Sequence, residues 1–143
     1  MSDSPASTRQ LLHIDAITSL PNRVALERRL DAPSVRKKAS FAIVRFETIG
    51  PALFGRVSNV DRVRAVIATL LSNIAVGGLE LFTYDELSFA FLIEGTGARR
   101  SMLTLMRIVL GIFSNPIEFD KLSVVARSSA GYTNRDADSS DDV

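Results

Sequence analysis

Cysteine is absent from the chain, and histidine occurs once, at His13. The first absence excludes disulfides and thiolate metal sites and fits a reducing compartment. The second leaves no ligand set for a histidine-based zinc cluster. Aromatic residues make up only 7% of the chain and tryptophan is missing. No stretch approaches the roughly 18 consecutive apolar residues that a membrane-spanning helix needs. The first ten residues are polar where a secretory leader would need an apolar segment. Strong net charge is lacking too: at +1 the chain has no global attraction for nucleic acid or an anionic membrane. A cytoplasmic protein without membrane insertion is the expectation.

What is present is an ordinary globular composition. The 143 residues are 46% hydrophobic, enough for one domain with its own core. Charge is unevenly divided. Residues 1–64 hold 11 Lys and Arg against 6 Asp and Glu, and residues 65–143 hold 6 against 10. Such a split arises from solvated faces that differ, or from charge-complementary packing between two copies or neighbouring domains.

Periodicity divides the chain. Residues 1–12 read as a flexible leader, residues 13–133 as a single domain, and residues 134–143 as an acidic tail or truncated linker. Pro21–Leu30 suits a helix, with proline near its start and Arg28 and Arg29 near its end. Ser40–Glu47 is an apolar run of strand length. Thr48–Val57, with two glycines and a proline, predicts a loop or broken helix. Ser58 or Asn59 then caps a helix to about Ala75, with Val60, Val63, Ile67, Leu70, Leu71 and Ile74 on one stripe. Gly77–Gly78 ends it. Leu79–Tyr84 and Phe89–Ile93 read as a hairpin about the polar step Asp85–Ser88. Ala98 to about Ser114 is a second amphipathic helix, whose buried stripe is expected to include Met102, Leu105, Met106, Val109, Leu110 and Phe113. Leu122–Thr133 is a final strand. The order helix, strand, helix, strand, strand, helix, strand predicts an α+β fold of the ferredoxin-like kind, a mostly antiparallel sheet with flanking helices and a central hairpin.

Three segments carry a resemblance. Asp15–Arg23 reads DAITSLPNR, close to the D-x-L-T-G-L-P-N-R motif that opens GGDEF domains, the bacterial diguanylate cyclase family, with Ser19 in place of the glycine. Phe89-Ala90-Phe91-Leu92 resembles the segment just after that family's name-giving turn. Ser129-Ala130-Gly131-Tyr132 resembles its S-I-G-V strand. The resemblance covers about Asp15–Thr133.

Membership of that family would imply its nucleotide-cyclase-like sheet and, in active members, the joining of two GTP molecules into cyclic di-GMP across two facing domains with Mg²⁺. The same alignment places the GGDEF pentapeptide on Asp85-Glu86-Leu87-Ser88-Phe89, where only Phe89 matches. The two glycines allow the backbone to approach a nucleotide, whereas Asp85 and Glu86 would crowd and repel phosphates. Leu87 and Ser88 replace carboxylates. Arg45 falls where a metal-binding Asp is implied, and Glu47 alone could stand in for a nearby acid. The substrate-contacting region would lie in Pro51–Arg56, which keeps only Gly55, and the inhibitory R-x-x-D on Val76–Leu79. After Thr133 the family has a last helix that the acidic sequence here does not match, whether by truncation or by loss. A missing helix would leave apolar sheet for a partner to cover.

The resemblance therefore implies a degenerate, catalytically inactive domain of cyclic di-GMP signalling. It would regulate a protein partner or an adjoining domain such as an EAL phosphodiesterase, through GTP binding or dimerisation. No catalytic residue, metal or resident cofactor is expected, with GTP and Mg²⁺ binding not expected to be retained. Residual ligand or partner contacts would fall on Arg45, Glu47, Asp85 and Glu86. The alternatives are an active cyclase with an atypical site, or an RRM-like RNA-binding module, since Ser88–Glu94 faintly resembles an RNP1 strand. Asp15, Asn22 and Arg23 are expected to be structural, as a turn, a helix cap and a charged tie to the domain. His13 is read as a packed connector, and Arg36-Lys37-Lys38 as a solvated basic run.

Overall fold

The DAITSLPNR segment folds on itself before the first helix begins. In the computed structural model, which describes residues 13–33, 38–49, 57–119 and 122–136, Ile14 and Pro21 form an antiparallel bridge. The Asp15 amide donates to the Leu20 carbonyl at 2.7 Å, and the Asn22 amide to the His13 carbonyl at 2.8 Å. Inside this loop Ser19 has φ 63°, the left-handed region in which a Cβ meets the following carbonyl. The glycine of the motif that this segment resembles is absent at the one place in the segment where its freedom is used. Ser19→Gly is therefore expected to raise stability by about 1 kcal/mol, less the extra entropy of the unfolded glycine. A urea unfolding midpoint that falls instead would contradict this.

Helix α1 (Arg23–Leu30) starts two residues after the predicted Pro21. Asn22 is its N-cap, and the side-chain oxygen accepts from the Ala25 amide at 3.1 Å. Strand β1 (Lys38–Ile49) is longer than expected at both ends. Lys38 belongs to it and not to a solvated run, and Thr48 and Ile49 extend it into the predicted loop. Helix α2 (Val57–Ser72) contains Ser58 and Asn59, so neither is its cap, and it stops three residues before Ala75. Ile74 thus lies past the helix. The hairpin comprises β2 (Glu80–Asp85) and β3 (Ser88–Glu94). Helix α3 (Ala98–Ile112) ends two residues before Ser114. Gly95 and Gly97 enter it at φ 101° and 84°, values that explain glycine in that turn.

A short strand missed by periodicity, β4 (Ile117–Phe119), precedes β5 (Leu122–Asp136). Three residues are too few to show alternation. Residues 134–136, expected in the tail, are the end of β5. Residues 1–12, 34–37, 50–56, 120–121 and 137–143, hence the leader, Arg36 and Lys37, Pro51–Arg56 and the rest of the tail, lie outside the described residues.

The sheet order is β2-β3-β1-β5-β4, every pair antiparallel. The α+β expectation holds, with helices flanking both faces of the sheet. One core joins Val44, Phe46, Phe89 and Phe91 to Val63, Ile67 and Leu71 of α2 and Met102, Leu105 and Val109 of α3. A smaller core places Phe82, Ala90 and Leu92 under Leu26 of α1. That is why β3 reads as a continuous apolar run: Ser88 to Ile93 are all buried. Leu110 is the exception on α3, at 49% exposed although predicted on the buried stripe. It lies past the edge of the face that the sheet covers.

Candidate functional site

The hairpin reverses over two residues, Glu86 and Leu87, with Asp85 paired to Ser88. The pairing slips between Thr83 and Asp85, leaving Tyr84 as an extra residue in β2. Such a bulge increases local twist and re-aims neighbouring side chains. The Leu87 carbonyl accepts from the Phe46 amide of β1 at 2.8 Å, which ties the turn to the middle strand.

In the register of β1 with β3, Arg45 stands opposite Ser88. Val44 and Phe46 point into the core, so Arg45 and Glu47 lie on the other face, where both are exposed. Arg45, Glu47, Asp85 and Glu86 thereby come to the rim of one open cavity of about 540 Å³, with Phe46, Thr48 and Leu87 as its other lining. All four residues predicted to retain ligand or partner contacts meet there. Of the pentapeptide positions, Asp85 and Glu86 are exposed, Leu87 is half-buried, and Ser88 and Phe89 are buried.

The donor set does not fit the Mg²⁺ that the resemblance implies for active cyclases. One cation, Arg45, sits among three carboxylates, and Leu87 offers no ligand atom. Among the described residues no three carboxylate or imidazole side chains converge closely enough to hold a metal ion. Val76 and Leu79, where the inhibitory motif would fall, line instead an apolar groove of about 520 Å³ with Leu20, Leu71, Ile74 and Leu81.

Beside the turn lies a smaller cavity of about 250 Å³ that shares Asp85 and is walled by Asp15, Arg23, Arg64 and Tyr84. Asp15 accepts from the Thr18 amide and hydroxyl, each at 2.9 Å, and from Arg64 Nη2 at 2.8 Å. Burial pushes its carboxyl up, but the Arg64 and Thr18 hydrogen bonds outweigh that, and the group titrates below its ordinary value. Arg64 Nε is buried with no partner. The charged tie between opening loop and domain is thus Asp15–Arg64, not Arg23. Arg23 stacks over the Tyr84 ring at 4.2 Å and pairs with Glu27 at 3.5 Å on its own helix. Arg64 was missed in the sequence. The signal was an arginine four residues after Val60 and four before Ala68, in step with the apolar stripe.

At the far end of the hairpin, Arg29 of α1 is bidentate to Glu80, both contacts at 2.8 Å, and also pairs with Glu94. The hydrogen bonds it donates to Glu80 hold the guanidinium above its ordinary value against the opposing effect of burial. This triad fastens α1 across β2 and β3.

No protein-family model and no curated protein matches the chain. Solved structures do. The coiled coil and GGDEF domain of DgcB from Caulobacter crescentus, in complex with c-di-GMP, superposes with TM-score 0.66 at 19% identity, over 93% of this chain and 74% of that one. This is a GGDEF-like fold. The GGDEF domain of FimX from Pseudomonas aeruginosa gives TM-score 0.63 at 19% identity, over 91% of this chain and 84% of that one. Diguanylate cyclase SiaD in complex with its activator SiaC, from Pseudomonas aeruginosa, gives 0.64 at 21%, over 90% of this chain and 52% of that one. No helix among the described residues is long and apolar enough to cross a membrane.

Proposed function

We propose that this GGDEF-like domain does not synthesise cyclic di-GMP and serves as a regulatory or interaction module of bacterial cyclic di-GMP signalling. It controls a protein partner or an adjoining domain such as an EAL phosphodiesterase. The observation that carries the reading is the rim of the 540 Å³ cavity. Asp85 and Glu86 are two exposed carboxylates at positions where the resemblance implies glycines against a nucleotide, and Arg45 stands where it implies a metal ligand. The turn also holds Leu87 against β1 through the bond to the Phe46 amide. A nucleotide meets charge repulsion there and no glycine backbone to approach. Recognition at the same rim needs no metal, and a partner with basic groups would complement its excess of carboxylates.

The packing does not favour the RNA-binding alternative. Phe89 and Phe91 are fully buried, so neither ring offers a face to a base.

The deciding experiment incubates the purified chain with GTP and Mg²⁺, then with Mn²⁺, and assays for cyclic di-GMP. No product above a protein-free blank is expected, and steady turnover would overturn the reading. Calorimetric titration with GTP and with cyclic di-GMP then separates ligand sensing from protein interaction: heat with either supports sensing, and silence with both leaves the protein partner.

A further inference from the structure

Helix α3 has two apolar stripes. The first, Met102, Leu105 and Val109, is buried against the sheet. The second faces outward: Leu103 and Leu110 are 47% and 49% exposed, with half-buried Met106 between them. Steps of three and four residues make 103, 106 and 110 an a–d–a seam, the pattern by which one helix packs along another. Arg100 and Arg107 each stand one residue beyond a d position, at the flanking e sites, and Arg99 ends the seam. All three are exposed, and none forms an ion pair among the described residues.

The charge is not balanced within the helix. Its sequence, ARRSMLTLMRIVLGI, contains no acid, and its N-cap Gly97 makes no side-chain cap bond. Arg99 and Arg100 lie in the first turn, where the helix dipole disfavours cations. An exposed seam and an uncompensated basic flank therefore occupy the same face.

We propose that this face docks an acidic amphipathic helix of a partner protein. The partner sets leucine-type side chains over Leu103, Met106 and Leu110, and carboxylates against Arg99, Arg100 and Arg107. Charge selects this occupant: a second copy of α3 laid on the same seam would bring arginine against arginine. The face is distinct from the hairpin cavity, to which α3 contributes no residue, so the inference does not depend on whether that cavity binds a nucleotide. With a helix only about 22 Å long, the contact is small and its affinity is expected in the micromolar range.

A labelled three-heptad peptide with leucine at a and d and glutamate at e and g, titrated with the full chain, tests this by fluorescence anisotropy. Saturable binding is expected, weakened roughly tenfold or more by Arg100→Glu with Arg107→Glu, and likewise by Leu103→Ser with Leu110→Ser. The four side chains are exposed, so melting curves should match the parent. A peptide of equal composition with leucines moved off the heptad spacing should bind at least about tenfold less tightly. Absence of saturation, equal binding of the shuffled peptide, or indifference to both double substitutions would overturn the proposal. So would binding of the chain to phosphatidylserine-containing vesicles that the same substitutions abolish, which would assign the face to a membrane surface.

Discussion

Replacing Phe46 with alanine is expected to cost about 3–5 kcal/mol, the usual penalty for deleting a buried aromatic ring. Phe46 is 2% exposed and lies where three elements meet. Its ring is edge-on to Phe89 at 5.8 Å and tilted against Phe113, at the end of α3, at 4.7 Å. Both partners would face the void, and neither can collapse without moving β3 or α3. The backbone of the same residue holds the hairpin turn through the Leu87 carbonyl. Since domains of this size are stable by only about 5–15 kcal/mol, the substitution removes a large share of the total. Urea unfolding should show the midpoint fall with an unchanged slope. Phe46→Leu, which refills most of the space, should lose well under half as much. Equal losses from both variants would show that the ring contacts are not what matters.

Removing Arg64 is expected to cost about 2–3 kcal/mol, because it strands the half-buried Asp15 carboxylate without its charged partner. Arg64 and Asp15 retain only 12% and 18% side-chain exposure. The sign of the pH effect is set by the carboxyl's surroundings. Asp15 titrates in the folded chain below its ordinary value of 3.8. Its contribution is therefore complete above that value and is lost as pH falls through the lower folded one. Acid unfolding of the parent should be steeper in that window than unfolding of Asp15→Asn, which has no carboxyl there to titrate. If the two acid limbs run parallel, the pair does not stabilise the fold.

The elements with strong periodicity were legible. The α1, α2 and α3 segments, β1, the hairpin and β5 lie where apolar spacing and glycine punctuation put them. Val63, Ile67, Met102, Leu105 and Val109 are buried as expected. What the pattern could not supply was three-dimensional. A continuous apolar run such as Phe89–Ile93 says that both faces are covered, but not by which helices. Three-residue β4 is below the length at which alternation exists. Leu110 obeys the helical period and is still exposed, because the sheet does not reach its side of α3.

The site was legible in part for the same reason. Arg45, Glu47, Asp85 and Glu86 were brought together by a sequence alignment, and the antiparallel register places them on one rim. Arg64 became visible only when α2 and the opening loop were seen side by side, since its partner Asp15 is 49 residues away. Ser19 looked like a simple loss of a glycine. Its φ of 63° shows a residue held in a conformation that its side chain disfavours.

The hydrogen bond from the Phe46 amide to the Leu87 carbonyl has a bearing on how this edge can behave. Binding loops that close over a small molecule are drawn from the least stable parts of a structure, where opening needs only a few local contacts to break. Leu87 cannot lift away without breaking a bond to the central strand beside the ring stack of Phe46, Phe89 and Phe113. Its excursions are tied to the cooperative opening of the sheet. The tip of the hairpin is thus anchored at Leu87, and the proposed partner would meet a surface shaped by the central strand.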